Sequence, residues 1–513
     1  MSNRDLEAAW TYHNATKHSY RSVRTNPHSL DWSNKPLLFK IYPTLEPLPL
    51  PQEFPQTGLA ALSAIAQTHS QTNGDVMPDL HCLGALLHFS AGITKRRTYS
   101  EGDIFYRAAA CTGALYEIEL YLVCGDLPDL PAGVYHFGPG DFALRKLRSG
   151  DHRGVLLRAT GAEPAVAHAP LTVICTGTYW RNAWKYQART YRHFGWDNGM
   201  ILANLLAMCA ALTLPARVVL GFVDAEINRL LDLDTKREVA FSLVPIGHVT
   251  ESPPEPPSKI APLELETVPL SKSEVDYPAM RAMHDASSLR SEAEVAGWRG
   301  RLPMRESPAI QGARASLEPF AEDEISCDPI EQVILRRGST REFARASLSF
   351  AQLSTILDRA TRGIPADFLD PERASLNDLY LIVHAVDGLQ PGAYVFHRDR
   401  RELECLKEGE FREEARYLGL EQDLPGEASI AIFFLADLRR ILDHYGNRGY
   451  RAVQLEAGIL GGKLYLAAYA QHLGATGLTF YDDDVIEFFS PHAEGKSAIF
   501  LNALGKSVKR MRH

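Results

Sequence analysis

The chain has 513 residues, more than one hydrophobic core usually supports, so two or more domains are expected. Apolar residues make 45% and charged residues 23%, a globular balance that excludes collagen, a disordered chain and a disulfide miniprotein. Lys plus Arg number 54 against 63 Asp plus Glu, and the net charge of −9 gives no general case for nucleic-acid binding.

Residues 1–54 open with MSNRDLEAAWTYHNATKHSY, which lacks the apolar core of a signal peptide. Tyr12, His13, Asn14, Thr16, Lys17 and His18 show no metal-ligand spacing and read as a segment docked on the body of the protein. Leu80, Leu83, Leu86 and Leu87, followed by Gly92-Ile93, have helical spacing. Short strands are expected at 119–124 and 171–177. The apolar run 199–223 is interrupted by Pro215 and Arg217, so it reads as a buried helix and then a buried strand, not a membrane span. Residues 251–278 are rich in Pro, Ser and Glu and predict a linker. Residues 279–320 have some helical character but no evident counterpart earlier in the chain. Phe350, Leu353, Ile356 and Leu357, then Gly363-Ile364, repeat the earlier helical spacing, and strands follow at 379–385 and 430–436. Asp482, Asp483 and Asp484 read as a solvated turn. The seven cysteines, at 82, 111, 124, 175, 209, 327 and 405, form no CxxC pair, which fits a reduced, cytoplasmic chain with no metal ribbon. No G-x-G-x-x-G follows a strand, so no Rossmann domain is expected.

The chain repeats itself. Arg181, Tyr186, Arg189, Tyr191, Arg192 and Gly199 align without a gap on Arg440, Tyr445, Arg448, Tyr450, Arg451 and Gly458. Gly133-Val-Tyr135-His-Phe137 matches Gly392-Ala-Tyr394-Val-Phe396, and each half ends in an apolar run and a glycine, at Gly247 and Gly505. The expected organisation is a docking segment 1–54, a first domain 55–250, a linker with some helix 251–324, and a second domain 325–513. Strands and helices mix in each half as in an α+β fold with a mostly antiparallel sheet covered by helices. Kept in both halves, the Arg-x-Tyr-Arg pairs read as fold-building residues.

Three segments resemble the FMN-dependent nitroreductase superfamily, in its SagB/ThcOx-type dehydrogenase branch and in tandem-duplicated form. Arg336 to Phe343, with Arg337, Gly338, Ser339 and Arg341, resembles the family's phosphate motif. Arg107 to Tyr116, with Cys111, Thr112 and Gly113, resembles the ring-contact segment, except that Ala110-Cys111 stands where the branch has Pro-Ser. Lys185-Tyr186 resembles the Lys-Tyr pair of azoline oxidases. The likeness covers roughly 55–250 and 325–510. It implies two nitroreductase-like domains packed as an intrachain pseudo-dimer, so a monomer is expected, with a homodimer as the alternative.

The same resemblance implies a composite FMN site. Arg337, Gly338, Ser339 and Arg341 of the second half would hold the phosphate, with Arg107, Cys111, Thr112 and Gly113 of the first half at the ring. Gly477, Leu478 and Thr479 sit where the family places a loop whose amides meet the flavin; out of that context they read as a helix end leading into a strand. The first half lacks the phosphate motif and the second shortens the ring segment, here Arg373 to Tyr380, so one good site and one weak or empty site are expected. Lys506, Lys509, Arg510 and Arg512 form a basic tail that either is solvated or reaches the phosphate. Lys185 and Tyr186 would remove a proton while hydride passes to FMN; the plain alternative for Lys185 is a surface lysine. The implied activity is an FMN-dependent oxidoreductase acting on a small-molecule or peptide substrate, with azoline-type oxidation favoured by Lys185-Tyr186. The alternatives are an NAD(P)H-dependent nitro or quinone reductase, with NAD(P)H a transient reductant, and a non-catalytic flavin- or partner-binding module. Neither nucleic acid, membrane nor metal is expected.

Overall fold

The computed structural model describes residues 2–25, 27–68, 74–99, 102–300, 302, 311–369 and 375–508. Two sheets carry the fold. The first has six strands in the order Pro47–Pro49, Ala143–Ser149, Gly133–Gly138, Ile118–Cys124, Leu171–Thr178, Glu238–Ile246. The second has seven, in the order Gly474–Leu478, Ser497–Gly505, Ile430–Ala436, Asp378–Val383, Gly392–His397, Glu402–Glu408, Arg314–Ser316. Every pair in both sheets is antiparallel. All six strands of the first sheet have a counterpart in the second, in the same order, and registers match: Leu122 pairs Tyr135 and Val173, as Leu381 pairs Tyr394 and Ile432. The chain is thus two α+β units of one fold.

The units meet along two central helices, Thr190–Ala211 and Arg448–Ala470, buried along almost their whole length. A helix apolar or buried all round belongs in the core of a large assembly. The helices cross at glycine: a Cβ on Gly199 would lie 2.5 Å from Gly458 backbone, and one on Gly458 would lie 2.4 Å from the Trp196 carbonyl oxygen. Trp196 Nε1 donates across this crossing to Gln454 Oε1 at 2.6 Å.

Reciprocal ion clamps flank the crossing. Arg189 and Arg192 of the first unit reach Asp482 of the second at 3.1 and 2.6 Å. Arg448 and Arg451 of the second reach Asp224 of the first at 2.7 Å each. Burial alone would push the Asp482 carboxyl up, but Arg189 and Arg192 hold it well below the ordinary carboxylate range. The expectation of a solvated turn is therefore corrected at Asp482, which starts the helix Asp482–Phe489 and is 1% exposed.

The repeat also reaches further than its sequence suggests. In the helix Glu7–Ala15 and the residue beyond it, the His13 carbonyl and Thr16 hydroxyl accept from Arg192 at 2.7 and 3.1 Å. In Pro278–Ala286 and the residue beyond it, the His284 carbonyl and Ser287 hydroxyl accept from Arg451 at 2.9 and 2.8 Å. His13 Nδ1 meets Tyr450 Oη as His284 Nδ1 meets Tyr191 Oη. Residues 278–287 therefore have a counterpart, near the start of the chain. Residues 247–277 contain no helix or strand. The end of the run 199–223, expected as a buried strand, makes only isolated bridges at Ala216, Val218, Val219 and Val223, and Val218 is drawn to Pro365 and Ala366 of the other unit.

Candidate active site

A cleft of about 980 Å³ opens where the two units meet. One wall is the turn after the strand Gly102–Arg107. Gly113 takes φ +64 there, and a Cβ on it would lie 2.8 Å from Tyr186 Oη, so only glycine fits between turn and phenol. Asp197 of the first central helix holds the turn: its carboxylate accepts from the Thr112 amide at 3.0 and 2.9 Å and from Thr112 Oγ1 at 2.8 Å.

The facing wall comes from the second unit. Helix Ile330–Arg336 ends at Arg337, and the following loop is pinned to the edge strand by the Thr340 amide donating to the Ala475 carbonyl at 2.9 Å. Ser339 Oγ lies 3.4 Å from Tyr465 Oη. Arg341 is exposed and makes no ion pair or hydrogen bond among the described residues. Thr479 Oγ1 is buried without a partner.

Of the residues singled out in the sequence, Cys111, Thr112 and Gly113 line this cleft together with Lys185 and Tyr186. Ser339, Arg341, Gly477, Leu478 and Thr479 line it from the opposite side. Arg337, Gly338 and Arg107 do not. Arg337 is a strut between the units, its Nε donating to the Ala108 carbonyl at 2.8 Å and its Nη2 to the Arg107 carbonyl at 3.1 Å. Arg107 lies with its guanidinium over the Tyr116 ring and donates to the Leu38 carbonyl at 2.9 Å. Arg373, Lys509, Arg510 and Arg512 lie outside the described residues. Lys185 sits exposed at the rim, where partial burial, then Arg341 and Lys35, push its ammonium below its ordinary value. Burial pushes the Tyr186 phenol up.

Several lining residues were not singled out beforehand as site residues. Trp196, Tyr465 and Phe500 supply aromatic walls, and the segment 15–28 runs along one side. His18 in that segment is lowered to about 3, by burial first and Arg189 next, so it is neutral at pH 7. Asp197 and Glu117 were missed as well, although Asp197 aligns with Glu456 five residues after Arg192 and Arg451, so the repeat carried a signal for it. Burial pushes both the Glu117 and Asp197 carboxyls up. Cys111, Glu117 and Asp197 are the one His/Cys/Asp/Glu group among the described residues close enough to hold a metal ion.

The symmetry-related cleft is filled by the chain itself. Tyr445, the counterpart of Tyr186, has its Oη 2.7 Å from the Phe368 carbonyl and 3.0 Å from that of Gly300. The Trp298 ring lies 5.4 Å from the Tyr445 ring, and Trp298 Nε1 donates to the Tyr445 carbonyl at 2.9 Å. The Asp367 carboxylate accepts from the amides of Leu220 and Gly221 at 2.9 and 2.8 Å, in the counterpart of 478–480.

Comparison with known proteins agrees with this architecture. The model of the Nitroreductase family matches residues 133–248 and 334–491, more than half the chain and once in each unit. Two relatives, each described as a putative nitroreductase, are similar to it. One, from Methanocaldococcus jannaschii, is 29% identical over 164 residues, covering 31% of this chain and 82% of that protein. The other, a crystal structure from Anabaena variabilis, is 26% identical with a TM-score of 0.77, covering 98% of this chain and 99% of that one. The chain belongs to the nitroreductase family, as a tandem duplication folded into an intrachain pair.

Proposed function

We propose that the protein is an FMN-dependent oxidoreductase with one working site per chain, the cleft between the phosphate-motif loop of the second unit and the ring-contact turn of the first. The observation that carries this reading is the contrast between the two clefts: one is open and lined by the motif residues, the other is filled by Trp298, Asp367 and Phe368. The residues fit a flavin nucleotide. Arg341 is a guanidinium with no ion pair among the described residues, suited to bidentate contact with a phosphate, and Ser339 lines the same wall. Thr479 Oγ1 is a buried polar atom awaiting a partner, and Gly113 leaves the turn close to the Tyr186 phenol. When bound, FMN supplies the two-electron hydride chemistry.

The chain's own residues orient substrate and move protons. Lys185, with its lowered ammonium, is the candidate base, and the Tyr186 ring lies 5.3 Å from Lys185 Nζ. This pair favours oxidation of an azoline-type ring in a small molecule or peptide. A cleft of this volume lies at the large end of ligand sites, enough for a flavin and a second molecule. The alternative is reduction of a nitroaromatic or quinone by NAD(P)H at the same cleft; a non-catalytic flavin- or partner-binding role is the third. No helix of the described residues is long and apolar enough to cross a membrane, and no cysteine among them is in a disulfide. Because the two units already pair within one chain, we read the working form as a monomer. The test is the absorption spectrum of purified protein reconstituted with FMN. One flavin per chain is expected. Two per chain would refute the single-site reading, and none would refute the cofactor.

A further inference from the structure

The floor of the open cleft contains an arrangement that its twin lacks. Glu117 is 0% exposed and Asp197 4% exposed, and neither forms an ion pair among the described residues. Cys111 Sγ lies 3.3 Å from Asp197 Oδ2 and 3.5 Å from Glu117 Oε2. One sulfur or carboxylate oxygen atom from each of the three residues lies within 4.8 Å of the others. Two buried carboxylates this close ionise together only at a high cost without a cation, so sharing one proton is the least costly resting arrangement. Glu117 Oε1 and Arg107 Nε are buried without a partner. A cavity of about 10 Å³ lined by Arg107, Cys111, Tyr116 and Asp197 lies against the group, close to the room one water needs.

The second unit shows what the fold alone requires. Glu456, the counterpart of Asp197, accepts from the Leu376 and Asn377 amides at 3.0 and 2.9 Å, from Ser375 Oγ at 2.8 Å and from Asn377 Nδ2 at 2.6 Å. One carboxylate is enough to hold the turn on the helix. By the shared strand register, the position of Glu117 is Leu376 in the filled twin. Glu117 is therefore an acid added only where the cleft is open.

We propose that Glu117 and Asp197 share one proton at neutral pH and deliver it, through the Thr112 hydroxyl, to the molecule reacting in the cleft. The delivery step rests on the oxidoreductase reading above. Thr112 lines the cleft and its Oγ1 touches Asp197 Oδ1 at 2.8 Å. At rest the Thr112 hydroxyl donates to Asp197 Oδ1; in the step it turns, its own proton leaves for an acceptor nitrogen or oxygen in the cleft, and Oγ1 takes the carboxyl proton from the pair. No electron moves. The pair is left doubly ionised and regains a proton from water by the same route. The charged and titratable groups facing it are Arg107, Cys111 and Tyr116 on the turn, Tyr186 on the preceding helix and Arg341 on the opposite wall.

The test uses the full chain, as wild type, Glu117→Leu (the twin's residue) and the isosteric Glu117→Gln. Infrared difference spectra across pH read the carbonyl stretch of a protonated buried carboxylic acid, with or without flavin. A band at pH 7 in wild type, lost in Glu117→Leu, is expected. With FMN loaded, turnover of a nitroaromatic by NADPH should fall on the order of 100-fold in either variant. Flavin content should stay unchanged, and the alkaline decline of the wild-type rate should disappear. Absence of the band in wild type overturns the shared proton. An unaltered pH profile in both variants overturns delivery. A stoichiometric metal, lost on Glu117→Leu, would make the group a metal site instead. Failure to bind any flavin refutes the functional reading and the delivery step with it, while the band still decides the shared proton by itself.

Discussion

Removing the charge of Asp482 should cost the protein more than any surface ion pair could. Arg189 and Arg192 sit at 3.1 and 2.6 Å from its two oxygens, and their side chains are 3% and 0% exposed. Asp482→Asn keeps the volume and some hydrogen bonding, but it leaves two buried guanidiniums without a counter-charge. Breaking one buried pair costs about 3–5 kcal/mol, and the retained amide contacts place this variant near the lower figure, about 3 kcal/mol. At a urea slope of about 2–3 kcal/mol/M, the unfolding midpoint falls by about 1 M. Asp224→Asn breaks the mirror-image clamp of Arg448 and Arg451 and should cost a similar amount. The effect has a pH signature. The folded carboxyl of Asp482 is depressed, so its contribution is complete above the unfolded value of about 3.9 and drains away as pH falls toward the folded one. Acid unfolding of wild type should therefore be steeper than that of Asp482→Asn. Stability losses below about 1 kcal/mol in both variants would refute the clamp, since exposed pairs are worth that little.

Two further outcomes follow from the placement of single cations. Arg341→Ala should lower FMN content without a change in urea midpoint, because Arg341 makes no ion pair or hydrogen bond among the described residues; Arg337→Ala should instead lose about 1.5–3 kcal/mol of stability through the freed carbonyls of Arg107 and Ala108. Flavin retention and urea titration on the two variants separate these roles, and equal flavin loss would remove the distinction. Lys463 is fully buried, donates to the Gly363 carbonyl and is lowered to about 7, by burial first and Arg398 next. Between about pH 7 and the unfolded value of about 10.4, the unfolded chain binds the extra proton, so stability rises with pH across that window. Lys463→Met should flatten this rise in urea midpoints between pH 7 and 10; an unchanged slope would show that Lys463 stays charged.

Much of the architecture was written in the sequence because it depends on local pattern. The strands at 118–124, 171–178, 378–383 and 430–436 are short apolar runs buried on both faces, and the two Arg-Tyr-Arg segments identify the central helices. What was not legible depends on partners far along the chain. Asp482 looks like one of three solvated acids until Arg189 and Arg192 are seen beside it. The kinship of His13 and Thr16 with His284 and Ser287 rests on four residues around a helix end, and only their common use of an arginine reveals it. In the phosphate motif, the residue types were readable but their directions were not. Arg337 directs its donors at the carbonyls of Arg107 and Ala108, where the strand Gly102–Arg107 ends, while Arg341, four residues on, faces the cleft.

The two clefts diverged while the two clamps did not, and the geometry gives a reason. Each clamp joins arginines of one unit to an aspartate of the other, so loss of either weakens the whole pair. The clefts carry no such reciprocity. After Glu7–Ala15 the chain runs through Tyr20–Thr25, a helix with no buried residue, and leaves its cleft open. After Pro278–Ala286 it runs through Glu292–Trp298, which buries Val295 and Trp298 over the other cleft. Filling that cleft adds apolar burial at a place where no motif residue remains to be exposed, so it stabilises the pair at no cost to the open site. Glu117 marks the opposite choice. A buried acid beside a second acid is unfavourable for folding, and the filled side has leucine in its place. The acid stands on the side where a proton can be used.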